Sequence, residues 1–247
     1  MRQMKKFVQN FDIPCYDTDA SWRLKPASFM NLVQEAAGLH AVHLGFGYDD
    51  LIVKNTAWIL SRVKICFLDT PKWRDNITLT TWHKGLERLF YLRDFVITDS
   101  EGKERVKATT SWLVLNLETR RLVRDPQLME EDTVCTENAM ETSADKVVMP
   151  KDVEPTLALQ HTVAYSDVDM NAHTNNAMYM QWAMDAVDYE TALQKPVKEV
   201  TINFNHETKA GDLVSIYKAS VEKEDGLHVY VEGKVNDASA FTVDILF

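Results

Sequence analysis

Residues 165–187 read YSDVDMNAHTNNAMYMQWAMDAV, and residues 16–37 read YDTDASWRLKPASFMNLVQEAA. At a constant offset of 150, Asp19 falls on Asp169, Phe29 on Tyr179, Met30 on Met180, Asn31 on Gln181, Glu35 on Asp185 and Ala36 on Ala186. Each stretch passes from an acidic turn through a helix start into an apolar helix, and such self-similarity marks an internal repeat. The element order downstream agrees. After the first helix comes TAWILSRVKICFLDTPKWRDNITLTTW, and after the second VKEVTINFNHETKAGDLVSIYKASV, each reading strand, turn, strand. In both turns an acidic residue precedes a Thr, which pairs Asp69-Thr70 with Glu207-Thr208. An Asp then opens an alternating strand, Asp75 before Ile77 and Leu79, Asp212 before Val214 and Ile216. The chain is two copies of one architecture.

Both helices are apolar nearly all round, which predicts burial rather than a surface position. The first carries Phe29, Met30, Leu32, Val33, Ala36, Ala37, Leu39 and Val42; the second carries apolar residues from Met178 to Tyr189. Pro26 suits the first turn of one, and Asn175 or Asn176 the cap of the other. The segments that follow alternate with period two, as in Leu113-Val114-Leu115 and His228-Val229-Tyr230-Val231. Long antiparallel strands around a buried helix predict an α+β fold of two tandem hot-dog units forming a pseudo-dimer. The expected division is residues 1–125, a polar and pattern-poor linker over 126–155, and a second unit over 156–247.

Composition narrows the function. A formal net charge of −10 argues against a nucleic-acid partner. Cys15, Cys66 and Cys135 are too few and too scattered for a disulfide framework or a metal site, and read as reduced thiols. The N-terminal stretch lacks an apolar core of signal-peptide length, and no stretch approaches a membrane span, so a soluble, cytoplasmic protein is expected. His40, His43 and His83 read as hydrogen-bonded core histidines rather than metal ligands, and no cofactor or metal is expected.

Single hot-dog units act as dimers with the ligand groove at the subunit interface, so fusion leaves two related sites of which one is free to decay. Copy two has Asp169, Asn171, His173, Asn175 and Asn176 where copy one has Asp19, Ser21, Arg23, Lys25 and Pro26. Chemistry is therefore expected in copy two, leaving copy one to shape a binding tunnel. Asp169-Met-Asn171-Ala-His173-Thr-Asn175-Asn176 resembles the active-site motif of the acyl-acyl carrier protein (acyl-ACP) thioesterases of bacteria and plastids. Ala108-Thr-Thr-Ser-Trp112, Asn116 and Thr119-Arg120-Arg121-Leu122 resemble that family's signature strand and turn in the first unit. Thr56-Ala-Trp58, Pro71-Lys-Trp73 and Thr81-Trp82 match in order and spacing.

The resemblance implies hydrolysis of a fatty acyl-ACP thioester, with acyl carrier protein as partner. It implies a catalytic set of Asp169, Asn171, His173 and Glu207, the Glu lying on the strand after the second helix. Plant members have a Cys after that Glu; here it is Thr208, which removes a cysteine-nucleophile mechanism. Thioester hydrolysis needs an attacking oxygen, a proton acceptor and donors for the oxyanion. If residues 169–173 are extended, period two places Asp169, Asn171 and His173 on one side. Asp169 and Glu207 would activate water, or one would attack as a carboxylate; Asn171 and His173 would orient the carbonyl. Alternatives are an acyl-CoA thioesterase with the same chemistry and a non-catalytic acyl-binding protein. Arg120, Arg121 and Arg124 form a basic turn, either merely solvated or a seat for an acidic carrier.

Overall fold

The computed structural model describes residues 5–130 and 132–247. Residues 1–4, at the start of the expected first unit, and Glu131 in the expected linker lie outside the described residues. The first repeat contains β1 (Phe7–Asp12), α1 (Pro26–His43), α2 (Tyr48–Val53), β2 (Thr56–Phe67), β3 (Asn76–Glu87), β4 (Phe90–Thr98), β5 (Glu104–Asn116) and the short β6 (Leu122–Val123). The second contains β7 (Thr156–Thr162), α3 (Asn176–Asp185), α4 (Tyr189–Gln194), β8 (Glu199–Phe204), β9 (Leu213–Lys223), β10 (Gly226–Val235) and β11 (Ala238–Leu246).

The strands form one continuous antiparallel sheet in the order β1-β3-β4-β5-β2-β8-β11-β10-β9-β7, with β6 on β5. Each half is the mirror of the other in this order. They join where β2 pairs with β8, in a register that sets Val63 against Ile202 and Ile65 against Val200. All four of these residues are fully buried, so the seam is sealed by apolar side chains as well as by ladder hydrogen bonds. The core beneath is shared: Phe29 and Met30 of α1 and Met180 and Trp182 of α3 belong to one apolar cluster.

Pro26 occupies the first turn of α1, where its missing N–H leaves nothing unsatisfied. At the other end Gly45, at φ +80°, and Phe46 return their N–H groups to Val42 and Ala41, which closes the helix. The expected second helix is shorter than its apolar run: α3 stops at Asp185, α4 begins at Tyr189, and Tyr189 is exposed. Val42 of α1 is likewise exposed. An apolar run therefore overstates how much of each helix the sheet can cover.

The pattern-poor segment after β6 is more than a connection. Arg93 on β4 faces α1, its Nη1 2.8 Å from His40 Nδ1, so the next residue, Asp94, faces away from the helix. There Asp94 Oδ2 accepts from the Ala139 N–H at 2.7 Å and from Lys84 Nζ at 3.1 Å. Trp82 Nε1 donates to the Glu137 carbonyl, and Asn203 Oδ1 accepts from the Val147 N–H at 2.6 Å. Leu128, Cys135, Ala144 and Val147 are buried under this arrangement. The segment is a strap over the outer face of the sheet, reaching from β3 to β8.

His83 is buried between two carbonyls, Nε2 2.8 Å from Leu128 O and Nδ1 3.2 Å from Leu92 O. Burial, reinforced by the Arg93 charge, pushes its pKa down to about 4 against the pull of those carbonyls. Burial also lowers Arg93 to about 9, which leaves it charged at neutral pH. The unfolded chain binds a proton at His83 before the folded one does, so stability is intact above pH ~6.5 and falls as pH drops toward 4. Denaturant titrations at pH 7 and pH 5 should show this loss, on the order of 3 kcal/mol once complete, and His83→Gln should flatten it.

Candidate active site

The stretch 169–173 is not extended. Asp169 N–H donates to His173 O, Ala172 N–H donates to Asp169 O, and Asp169 Oδ1 accepts from Asn171 N–H at 2.8 Å. Ala172 lies at φ +60°, closing a tight loop between the bridged residues Val168 and Thr174. Copy one builds the same loop: Asp19 N–H donates to Arg23 O, Asp19 Oδ1 accepts from Ser21 N–H at 2.8 Å, and Trp22 lies at φ +67°. Aspartate readily closes such turns on its own backbone, and this preference overrides the period-two reading. The side chains of Asp169, Asn171 and His173 thus leave a loop, not one face of a strand.

Asn175 caps α3, its Oδ1 accepting from Ala177 N–H at 2.9 Å. Gln34 of α1 crosses to both amides, donating to Asn175 Oδ1 at 3.3 Å and accepting from Asn176 Nδ2 at 2.9 Å. The helix of copy one therefore braces the site loop of copy two. A lone glutamine in an otherwise apolar helix face was the available signal for this contact.

Glu207 lies in the loop between β8 and β9, not on a strand. Thr208 anchors that loop. Its carbonyl accepts from Thr174 N–H, its N–H donates to Tyr179 Oη at 3.0 Å, and its Oγ1 lies 2.6 Å from Thr174 Oγ1 and 2.9 Å from Tyr179 Oη. All three residues are buried, and burial raises the Tyr179 pKa, so its phenol stays protonated. In copy one the matching backbone bond runs from Leu24 N–H to Pro71 O. Pro71 thus stands where Thr208 stands, and Thr70, not Asp69, is the counterpart of Glu207. Leu24, Phe29 and Pro71 replace Thr174, Tyr179 and Thr208, so every hydroxyl of the network is gone from copy one. Tyr179→Phe should leave the buried Thr208 N–H without an acceptor and cost about 1–3 kcal/mol. A lowered melting temperature with a lowered kcat would be its signature.

The Thr208 anchor brings Glu207 to the loop. Glu207 Oε2 lies 3.5 Å from His173 Nε2, and Oε1 lies 3.2 Å from Arg120 Nη2 and 3.9 Å from Lys209 Nζ. His173 is half-buried, while Glu207 and Asn171 are exposed, so substrate and water reach this pair from solvent. The Asp169 carboxylate is engaged with its own loop, accepting from the Asn171 N–H, while the side chains of His173 and Glu207 meet across two loops. In copy one Arg23 occupies the place of His173 and serves as a bracket. Its Nε lies 3.2 Å from Asp19 Oδ2, and Nη2 donates to Ala192 O at 2.8 Å and Leu193 O at 3.0 Å at the end of α4.

Among the described residues no group of three or more His, Cys, Asp or Glu is arranged to hold a metal ion, and no helix is long and apolar enough to cross a membrane.

The core helices α1 and α3 under one antiparallel sheet, with the polar site in a single repeat, define a tandem hot-dog protein. A family model for the acyl-ACP thioesterase N-terminal domain matches residues 4–132, and one for the C-terminal domain matches residues 151–247. The chain belongs to the acyl-ACP thioesterase family, a family of thioester hydrolases. It is 25% identical to an oleoyl-acyl carrier protein thioesterase of Coriandrum sativum over 96% of this chain and 68% of that protein. Oleoyl-acyl carrier protein thioesterase 1 of Arabidopsis thaliana is also 25% identical, over 84% of this chain and 62% of its own length. The chain thus spans about three fifths of the Arabidopsis relative. Among solved structures, an acyl-ACP thioesterase from Bacteroides thetaiotaomicron superposes with a TM-score of 0.88 at 26% identity, covering 98% of each chain. The 12:0-ACP thioesterase of Umbellularia californica, at 19% identity, shares the fold with a TM-score of 0.85 over 98% of this chain and 93% of that one.

Proposed function

We propose that this chain hydrolyses the thioester of a fatty acyl-acyl carrier protein, releasing the free fatty acid and the carrier thiol. The reading is carried by the asymmetry of the repeats. His173 and Glu207 meet at 3.5 Å over a buried hydroxyl network in copy two, where copy one has Arg23 and Thr70 over apolar residues. Buried polar networks are demanding to satisfy, and their confinement to one copy marks the copy that does chemistry.

Glu207 acts as base or as nucleophile. As base it takes a proton from the attacking water, the C–S bond breaks, and that proton passes to the departing thiolate. As nucleophile it attacks the carbonyl carbon and expels the thiolate, leaving a mixed anhydride; water then hydrolyses the anhydride, which frees the fatty acid and the carboxylate and supplies the proton the thiolate takes up. Asn171 and His173 orient the carbonyl and meet its developing negative charge. Asp169 holds the loop that presents them and adds a second carboxylate. The relatives are oleoyl-acyl carrier protein thioesterases, which supports a carrier-protein substrate over a CoA thioester.

The test is thiol release from a panel of acyl-ACPs and matched acyl-CoAs. Faster release from the acyl-ACPs supports the assignment. Preference for the CoA esters transfers the same chemistry to another carrier, and acyl binding without release makes the chain a binding protein.

A further inference from the structure

The turn joining β5 to β6 takes no part in the chemistry described so far, yet it is pinned at several points. Asn116 Oδ1 accepts from Thr119 N–H at 2.8 Å, Thr119 Oγ1 at 2.9 Å and Glu118 N–H at 3.2 Å. Arg120 N–H donates to Asn116 O, and Asn116 N–H donates to Arg121 O. This geometry forces Arg120 to φ +56°, a left-handed conformation that glycine or asparagine adopts more cheaply than arginine. Backbone strain held by its surroundings points to a use for the side chain. That side chain leaves its own repeat and reaches Glu207 of the other, Nη2 to Oε1 at 3.2 Å. The second oxygen, Oε2, is the one that faces His173. Arg124, from the same basic stretch, turns instead to the Arg88 carbonyl.

Stability does not account for the contact. The two side chains are 56% and 38% exposed, and ion pairs so open to water contribute little to folding. We infer that Arg120 is a positioning residue for thioester hydrolysis, fixing Glu207 so that its free edge addresses His173 and the reacting carbonyl. The active site is then a joint product of both repeats: copy two supplies acid, imidazole and the Lys209 ammonium 3.9 Å from the acid, and copy one supplies the guanidinium that approaches the acid to 3.2 Å and orients it. Once a carrier protein covers the site, water leaves and the same contact strengthens. A guanidinium suits the role because its planar donors fix direction as well as charge, which an ammonium does only in part.

The inference rests on the assignment of Glu207 and His173 given above. Its test is steady-state kinetics on acyl-ACP for the wild type, Arg120→Ala, Arg120→Lys, Glu207→Gln and the Arg120→Ala/Glu207→Gln double variant, with melting curves alongside. Arg120→Ala should lower kcat about tenfold with KM nearly unchanged. Arg120→Lys should recover part of the rate. On the Glu207→Gln background, removing Arg120 should add almost nothing, since the two act as a unit. Additive effects, or a rise in KM alone, overturn the inference and make Arg120 a docking contact for the carrier. An impaired Glu207→Gln beside a fully active Arg120→Ala overturns it while leaving the site intact. A fully active Glu207→Gln removes the site assignment itself.

Discussion

Replacing His173 by alanine is expected to lower kcat/KM by about 10²–10⁴-fold, the range for losing a positioned acid–base group, while the melting temperature stays close to that of the wild type. His173 is half-buried at the loop surface and its recorded contact is Glu207, so little folding energy depends on its ring. Glu207→Gln keeps the shape and removes the charge, and should reproduce the loss. Asp169 offers a sharper comparison. Its Oδ1 accepts the Asn171 N–H, as Asp19 Oδ1 accepts the Ser21 N–H in the repeat without the site. Asp169→Asn retains that acceptor and loses only the charge. A large fall in kcat for this variant, without a change in melting temperature, assigns the second carboxylate to catalysis; near-normal turnover confines Asp169 to shaping the loop.

The second large effect is expected far from the site. Asp94→Ala should destabilise the protein by about 3–5 kcal/mol, the range for breaking a buried ion pair by removing one partner. Asp94 is fully buried, and its Oδ2 meets Lys84 Nζ together with the N–H groups of Ala139 and Met140. Truncation leaves a nearly buried ammonium without its counter-charge and releases the strap at its midpoint. Limited proteolysis should then cut the segment after β6 faster than in the wild type, before the sheet itself is attacked. A variant that melts lower but resists cleavage there would show that the strap is held by its buried side chains, Leu128 and Val147 among them, and not by Asp94.

Much of this molecule is legible in its sequence because it is written twice. The offset between YDTDASWRLKPASFMNLVQEAA and YSDVDMNAHTNNAMYMQWAMDAV locates both helices, both site loops and the copy that kept its polar residues. Periodicity read less well where local hydrogen bonding competes with it. The loop at 169–173 alternates like a strand, but Asp169 closes it on its own backbone. Across the second turn the like pairs Asp69-Thr70 and Glu207-Thr208 suggest a register one residue out; the backbone bonds from Leu24 to Pro71 and from Thr174 to Thr208 show that Thr208 answers to Pro71. Contacts between the repeats, such as Gln34 with Asn175 and Asn176, depend on how two helices lie side by side; Gln34 signals a polar neighbour but does not say which. The strap was hidden for another reason: its residues contribute backbone groups to partners whose own sequence neighbourhoods are those of ordinary strands.

On the proposed assignment of chemistry to copy two, the bracket formed by Arg23 bears on whether copy one could acquire a site of its own. Restoring histidine at position 23 would sever the bonds to Ala192 and Leu193 that tie copy one to the end of α4. It would gain no carboxylate in return, because Thr70 holds the place of Glu207, and no hydroxyl network, because Leu24, Phe29 and Pro71 fill that space. Each change alone is a loss, and only the full set together rebuilds a site. The proposed division of labour between the two halves would therefore be locked in stepwise exploration of sequence: single substitutions lead away from a second catalytic centre, and a symmetric, two-site descendant would lie across a valley of less stable intermediates.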